Sequence, residues 1–171
     1  KEAIKKLIYS PPSNTYEALL LAWIYWYAQE LVDAIRVRTM GALDRLYFEF
    51  YKNDIASGLF TKDDICEMFT YFMNGFHALR TSYQQPMYFG GVDEDGNCVV
   101  NELSYIVLEA YNILSAPNPK LQVIISENNT IFFILIFFKF TAYSFSDTKL
   151  GKKNEETRGK FPINLEGFPY F

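Results

Sequence analysis

The sequence predicts a helix-dominated α/β fold, and three stretches carry that expectation. Gln85–Ser126 reads as strand, tight turn, capped helix, proline-punctuated loop and strand. Thr15–Ile35 reads as one long helix that is apolar on nearly every face. Thr61 opens another helix with a strong start signal. A strand–helix–strand unit of this length implies a right-handed crossover between two parallel strands.

In chain order, Lys1–Ser10 is a short amphipathic stretch closed by Pro11-Pro12. Asn14-Thr15-Tyr16-Glu17 has the N-x-x-E form of a capping box, and Leu19, Leu20, Leu21, Trp23, Ile24 and Trp26 follow it. A helix apolar all round is expected to be buried on all sides. Arg36–Gly41 breaks the pattern, and Ala42–Ile55 resumes it through Leu43, Leu46, Tyr47 and Phe50. The aromatics of this stretch read as core. Ser57-Gly58 is a helix stop. Thr61 then caps, Asp64 answers it, and Phe60 is placed to staple onto Ile65, with the helix expected to end at Asn74-Gly75. Phe76–Gln84 reads as a connection holding the single histidine, His77, which without a Ser, Cys or carboxylate partner reads as structural.

Gln85–Phe89 is the first strand, stopped by Gly90-Gly91. Asp93-Glu94-Asp95-Gly96-Asn97 is turn chemistry, with Gly96 available for a positive φ. Its acidic residues resemble a calcium loop, but an EF-hand needs glycine sixth and glutamate twelfth, whereas Gly96 is fourth and Ser104 twelfth from Asp93. Asn101 can cap the helix Glu102–Leu114, where Leu103, Ile106, Val107 and Ala110 share a face. Pro117 and Pro119 end that helix, and Leu121–Ile125 is the β-branched second strand.

The composition excludes several functions. A chain of 171 residues can bury a core of its own. A net charge of -4 with no basic patch argues against nucleic acid as partner. The apolar runs Ala18–Ala28 and Ile131–Phe138 are too short to span a bilayer, and no apolar region with a cleavage site follows the charged Lys1–Lys6, so a signal peptide is not expected there. Cys66 and Cys98 lack metal or disulfide spacing, which fits a reduced, cytoplasmic setting. Aromatics make up 18 % of the chain, so much apolar surface expects to be covered by further chain.

The ordered set GGVDEDG, NELSY, LEA and NPK before LQVIIS resembles the pyruvate formate-lyase-like domain of glycyl radical enzymes. In that family a G-G-x-D-x-x-G turn leads through N-E-L-S-Y into a helix and a barrel strand. PPSNTYEALLLAW is similar to the family's P-P-x-T-F-x-E-A-L-Q, and GALDRLYFEFYKNDIASG to its G-x-x-D-x-x-x-x-P-F-Y-x-x-D-x-x-x-G. The resemblance implies a partial domain over residues 1–126, carried by motifs within about 11–126, and a fragment of an α/β barrel. Residues 127–171 read as a divergent or disrupted continuation. There Ile131–Phe138 lacks the polar face an outer barrel helix needs, and only Gly167–Phe171, GFPYF, looks familiar. An altered frame, a retained non-coding stretch or gene decay would produce such a tail.

The implied parent chemistry is radical C–C, C–O or C–N cleavage, of the formate C-acetyltransferase or radical lyase type, in anaerobic metabolism. It needs no bound organic cofactor, but a glycyl radical installed by a radical S-adenosylmethionine activating enzyme. The implied partners are that enzyme and the remainder of the barrel. In the family the thiyl cysteine lies in G-C-x and the radical glycine in R-V-x-G-Y. Neither motif is present, so no catalytic residue is assigned and the chain is expected to be inactive alone. Gly96-Asn97-Cys98-Val99 and Arg36-Val37-Arg38-Thr39-Met40-Gly41 mimic the two motifs at the wrong places.

Residues just before G-x-x-D approach the barrel cavity in the family and vary with substrate class. Arg36, Arg38 and Thr39 are therefore the substrate-pocket candidates, the arginines suited to bidentate contact with a carboxylate or phosphate. Two departures bear on this. Thr39-Met40-Gly41-Ala42-Leu43-Asp44 replaces the common S-x-G-R-F-D, and Ile124 replaces the arginine of V-R-x-S. The competing expectation is a non-catalytic helical module that binds protein through aromatic surface, or a decayed remnant.

Overall fold

The structure, a computed structural model, describes residues 1–33, 39–78, 86–115 and 119–124. Its elements are α1 (Glu2–Leu7), α2 (Thr15–Asp33), α3 (Leu43–Leu46), α4 (Phe48–Ser57), α5 (Lys62–Ala78), β1 (Met87–Gly90), α6 (Glu102–Leu114) and β2 (Leu121–Ile124). The expected α/β, helix-rich composition is observed. The strands β1 and β2 pair in parallel, Met87 opposite Leu121 and Gly90 opposite Ile124, with α6 as the crossover. A third segment joins them: Gly41 bridges Met87 in parallel, Met40 N donates to Pro86 O at 2.8 Å and Tyr88 N to Gly41 O at 2.9 Å.

Helices cover one face of this sheet. Met87 and Phe89 are fully buried, and Leu121 and Val123 pack on the same core, which α5 and α6 close through Ile65, Phe69, Met73, Leu103, Val107 and others. The alternate positions differ: Tyr88 is half-buried, and Gln122 and Ile124 are exposed. The period of two in a strand thus separates a helix face from an open face.

The local signals hold at most helix starts. Asn101 accepts from Ser104 N at 3.2 Å while Ser104 Oγ accepts from Asn101 N at 3.0 Å, a reciprocal capping box. Thr61 and Asp64 form a second one: Asp64 N donates to Thr61 Oγ1, and Thr61 N to Asp64 Oδ2. At α2, Asn14 Oδ1 accepts from Glu17 N at 2.8 Å as expected, but the Glu17 carboxylate turns to Ser13 N and to Lys6 Nζ on α1. Gly58 ends α4 with φ +69.

Three expectations are corrected. The segment Ala42–Ile55 is not one helix: it breaks at Tyr47 (φ -103, ψ 0), whose ring lies edge-on to Phe69 with centroids 5.9 Å apart. The helix starting after Thr61 does not stop at Asn74-Gly75 but runs to Ala78, taking in Phe76 and His77. Gly75 is a notch rather than a stop, for a Cβ there would lie 3.0 Å from Cη2 of Trp23. Trp23 and Trp26 meet Phe76 edge-on through that notch, at 5.0 and 6.0 Å. Finally, α2 is not buried all round. Leu19 faces the core, whereas Leu21, Tyr25, Leu31 and Val32 are exposed. Uniform apolarity shows that a helix wants cover, without saying which chain supplies it.

Candidate functional site

Among the described residues, a dense polar constellation lies where α3 and α4 meet α6. Asp44, at the start of α3, has no exposed surface. Its Oδ2 accepts from Ser104 Oγ at 2.7 Å and its Oδ1 from Arg45 N at 2.9 Å, while its own carbonyl accepts from Asn101 Nδ2 at 3.1 Å. Because Ser104 Oγ already accepts from Asn101 N, its proton must point to Asp44. Burial pushes the Asp44 carboxyl above the usual range, and the Ser104 hydrogen bond offsets part of that rise.

Two further ties run in parallel. Tyr51 on α4 donates to Glu102 Oε2 at 2.8 Å, and Lys62 Nζ lies 3.5 Å from the same oxygen. Burial, reinforced by the Glu102 hydrogen bond and charge, pushes the Tyr51 hydroxyl up to about 12, so it stays a donor. The Tyr51 bond and Lys62 hold the Glu102 carboxyl below its ordinary value. The buried Asp54 accepts from Thr15 N at 2.7 Å, closing α2 onto α4 across 39 positions. An anion at this helix start meets an orphan N–H and the positive end of the helix dipole.

These bonds explain the sequence motifs. The aspartates and tyrosine of GALDRLYFEFYKND bond the asparagine, glutamate and serine of NELSY and the start of the TYEAL helix. The constellation is a clasp between distant segments. In the sequence Asp44, Tyr51 and Ser104 are motif positions only; their partners are more than 50 residues away and no local signal pairs them.

Thr39 is exposed at the start of the sheet segment beside β1. Its hydroxyl donates to Pro86 O at 3.2 Å and accepts from Gly41 N at 3.0 Å. It fixes backbone there. Arg36 and Arg38 lie outside the described residues. At the other end of the sheet, Gly90 and Gly91 leave β1 with φ +74 and +88. A Cβ on Gly91 would lie 3.3 Å from Cγ2 of Ile124, so glycine lets the turn cross over the end of β2.

The turn beyond is self-satisfied: Asp93 Oδ1 accepts from Asp95 N and Asn97 N, and Oδ2 from Asn97 Nδ2. Those bonds, led by the Asn97 amide, hold the Asp93 carboxyl below its usual range. Cys98 bridges Val92 across this turn and is half-buried. Cys66 is buried on α5, and burial with nearby Glu109, Asp63 and Glu67 pushes its thiol up to about 11, away from thiolate chemistry. His77 is exposed in the last turn of α5.

A parallel sheet covered on one face by helices, with its motif residues bolting helix to helix, defines a layered α/β protein. The family model for pyruvate formate lyase-like proteins matches residues 1–145, and the chain belongs to that family. The match is wider than the stretch the motifs carry. The chain is 26 % identical over 140 residues to the 4-hydroxyphenylacetate decarboxylase glycyl radical subunit of Clostridioides difficile, covering 74 % of this chain and 15 % of that protein. Among solved structures it is similar to a glycyl radical enzyme from Archaeoglobus fulgidus, with a TM-score of 0.72 and 21 % identity over 85 % of this chain and 20 % of the other. It is also similar to hydroxyproline dehydratase from Clostridioides difficile solved with trans-4-hydroxy-L-proline bound, with a TM-score of 0.62 and 23 % identity over 75 % and 18 %. These structural likenesses establish the fold. The chain spans a fifth or less of each of these proteins. Among the described residues, no helix is long and apolar enough to cross a membrane.

Proposed function

We propose that this chain is a slice of a glycyl radical enzyme, forming part of the wall of its α/β barrel, and that it performs no radical chemistry alone. The observation that carries the reading is the one-sided sheet. Its helix face is sealed, while Tyr88, Gln122 and Ile124 present an open face of the kind that lines a barrel interior. Met40 to Gly41, β1 and β2 supply neighbouring parallel strands, and the Asp44–Ser104 clasp holds their outer helices in place.

In this reading the thiyl cysteine and radical glycine come from segments other than those described. Cys98 is held in a turn and Gly41 within the sheet bridge, neither being the thiol or the radical store. The glycyl radical is installed by a radical S-adenosylmethionine activating enzyme, in an anaerobic cytoplasm. Arg36 and Arg38 are the anion ligands of the pocket, and Thr39 positions the backbone that follows them. Ile124, apolar where the family commonly has arginine, makes the open face suited to a substrate with an apolar portion there.

The test is anaerobic incubation of the chain with an activating enzyme and S-adenosylmethionine, read by electron paramagnetic resonance. The expected spectrum is empty. A glycyl doublet from this chain overturns the claim that it is inactive alone.

A further inference from the structure

Asn74-Gly75 and Asp95-Gly96 each place a side-chain carbonyl just before a glycine. In such a pair the glycine nitrogen can attack the carbonyl carbon of the preceding side chain and close a cyclic imide. Glycine permits this because no Cβ obstructs the approach and its φ absorbs the rotation. The fold treats the two pairs differently. Asn74 and Gly75 lie inside α5, where the helical ladder engages the Gly75 N–H. The Trp23 ring also packs there so closely that a Cβ on Gly75 would lie 3.0 Å from its Cη2. Ring closure at Asn74 therefore requires the end of α5 to open and the indole to move. That pair is locked.

Asp95-Gly96 sits in the short turn between Val92 and Cys98, which pair as an isolated antiparallel bridge. Asp93 takes the N–H groups of this turn, Asp95 N at 3.0 Å and Asn97 N at 2.8 Å, and the exposed Asp95 carboxylate accepts no hydrogen bond from the described residues. Gly96 N donates to Asp93 O at 3.1 Å, and Gly96 already stands at φ +83. Closing the imide here disturbs a turn and no packed side chain.

We propose that Asp95 is a site of spontaneous aspartate isomerisation in the folded chain, while the fold protects Asn74 from the equivalent deamidation. Gly96 N forms a bond to Cγ of the protonated Asp95 carboxyl, whose hydroxyl leaves with the Gly96 proton as water. Water then opens the imide. Attack at Cγ restores aspartate, whereas attack at the backbone carbonyl of Asp95 leaves the chain running through Cγ as an isoaspartyl link. The product has the original composition and one more carbon in the backbone of the turn. That carbon parts Asn97 from Asp93, whose N–H donates to Asn97 O at 2.9 Å. The reaction needs only water, so it stands apart from the radical-enzyme reading.

The test holds the full chain in mildly acidic oxygen-18 water, one sample folded and one unfolded in guanidinium chloride, followed by digestion in ordinary water. Peptide mass spectrometry locates the incorporated label at Asp95 and Asn74. The protease Asp-N, which cuts before aspartate and not before isoaspartate, reports the rearranged product. Folding is expected to slow Asn74 by at least about a hundredfold, because its helix must open first, and Asp95 by less than about tenfold. Asp95→Glu, whose imide ring is larger and closes far more slowly, should take up no label at that position. Unchanged circular dichroism shows that this variant is folded. Slowing of Asp95 by more than about tenfold on folding, or reaction of Asn74 in the folded chain at its unfolded rate, overturns the proposal. Label at position 95 in the glutamate variant overturns it as well, since the oxygen then enters by another route.

Discussion

Replacing Ser104 with alanine severs the clasp at its centre. The hydroxyl donates to a fully buried carboxylate at 2.7 Å and accepts the Asn101 N–H at 3.0 Å. A hydrogen bond to a charged group is worth about 1.5–3 kcal/mol, and loss of half a capping box about 0.5–1 kcal/mol more. Alanine returns about 0.5 kcal/mol of helix propensity within α6. The net expectation is a loss of about 2–3 kcal/mol, seen as a fall of roughly 1 M or more in the urea midpoint by far-ultraviolet circular dichroism. Asp44→Asn keeps volume but leaves the Ser104 proton without its anionic acceptor, at a cost of about 1–2 kcal/mol. Because both changes break one bond, the double variant should lose less than the sum, with a coupling of at least about 1 kcal/mol. A coupling under about 0.5 kcal/mol refutes the claim that the two motifs are held by this bond. The pH dependence gives an independent check. A carboxyl with a folded pKa above its unfolded value near 3.9 binds protons more readily when folded. Stability from Asp44 therefore falls as pH rises from about 4 through the folded pKa, and Asp44→Asn removes that slope.

Other expectations follow from single contacts. Gly75→Ala should destabilise by about 1 kcal/mol despite better helix propensity, because the new methyl meets the Trp23 ring at 3.0 Å; a red-shifted tryptophan emission checks it. Gly91→Ala forces a φ of +88 on an L residue and crowds Ile124, costing about 1–3 kcal/mol in denaturant melts. Lys6→Met should free α1 from α2 at a cost of about 1 kcal/mol at neutral pH, Lys6 being partly exposed. Burial raises the Glu17 carboxyl, but Lys6 and Ser13 together hold it below its usual value. The stability it gives is present above about pH 4.3 and fades as pH falls through the folded pKa, so the Lys6→Met penalty should shrink on acidification.

Local chemistry was legible where the partner was near. The sequence marks Asn14, Thr61 and Asn101 as caps, and each accepts the N–H expected of it, because a cap and its partner lie three positions apart. The parallel pairing of β1 with β2 followed from the length of the crossover. Asn74-Gly75 misled because a glycine needed for close approach looks the same as one needed for a positive φ; the difference is Trp23, fifty-two positions earlier. The exposed side of α2 was invisible for the converse reason. Periodicity locates a face that wants burial, yet exposure depends on the whole assembly. Likewise the clasp residues were visible as a family pattern, while their physical purpose needed the approach of residues 44 and 104.

The bond from Thr15 N to Asp54 also has a consequence during synthesis. The first residue of α2 leaves the ribosome 39 positions before its acceptor. At about 5–20 residues per second, that leaves the tryptophan-bearing helix without its anchoring carboxylate for roughly 2–8 s. Phe76, against which both indoles pack, emerges later still. The nascent chain therefore carries both tryptophans and Leu19 uncovered over that interval, and slower translation between Asp33 and Asp54 lengthens it.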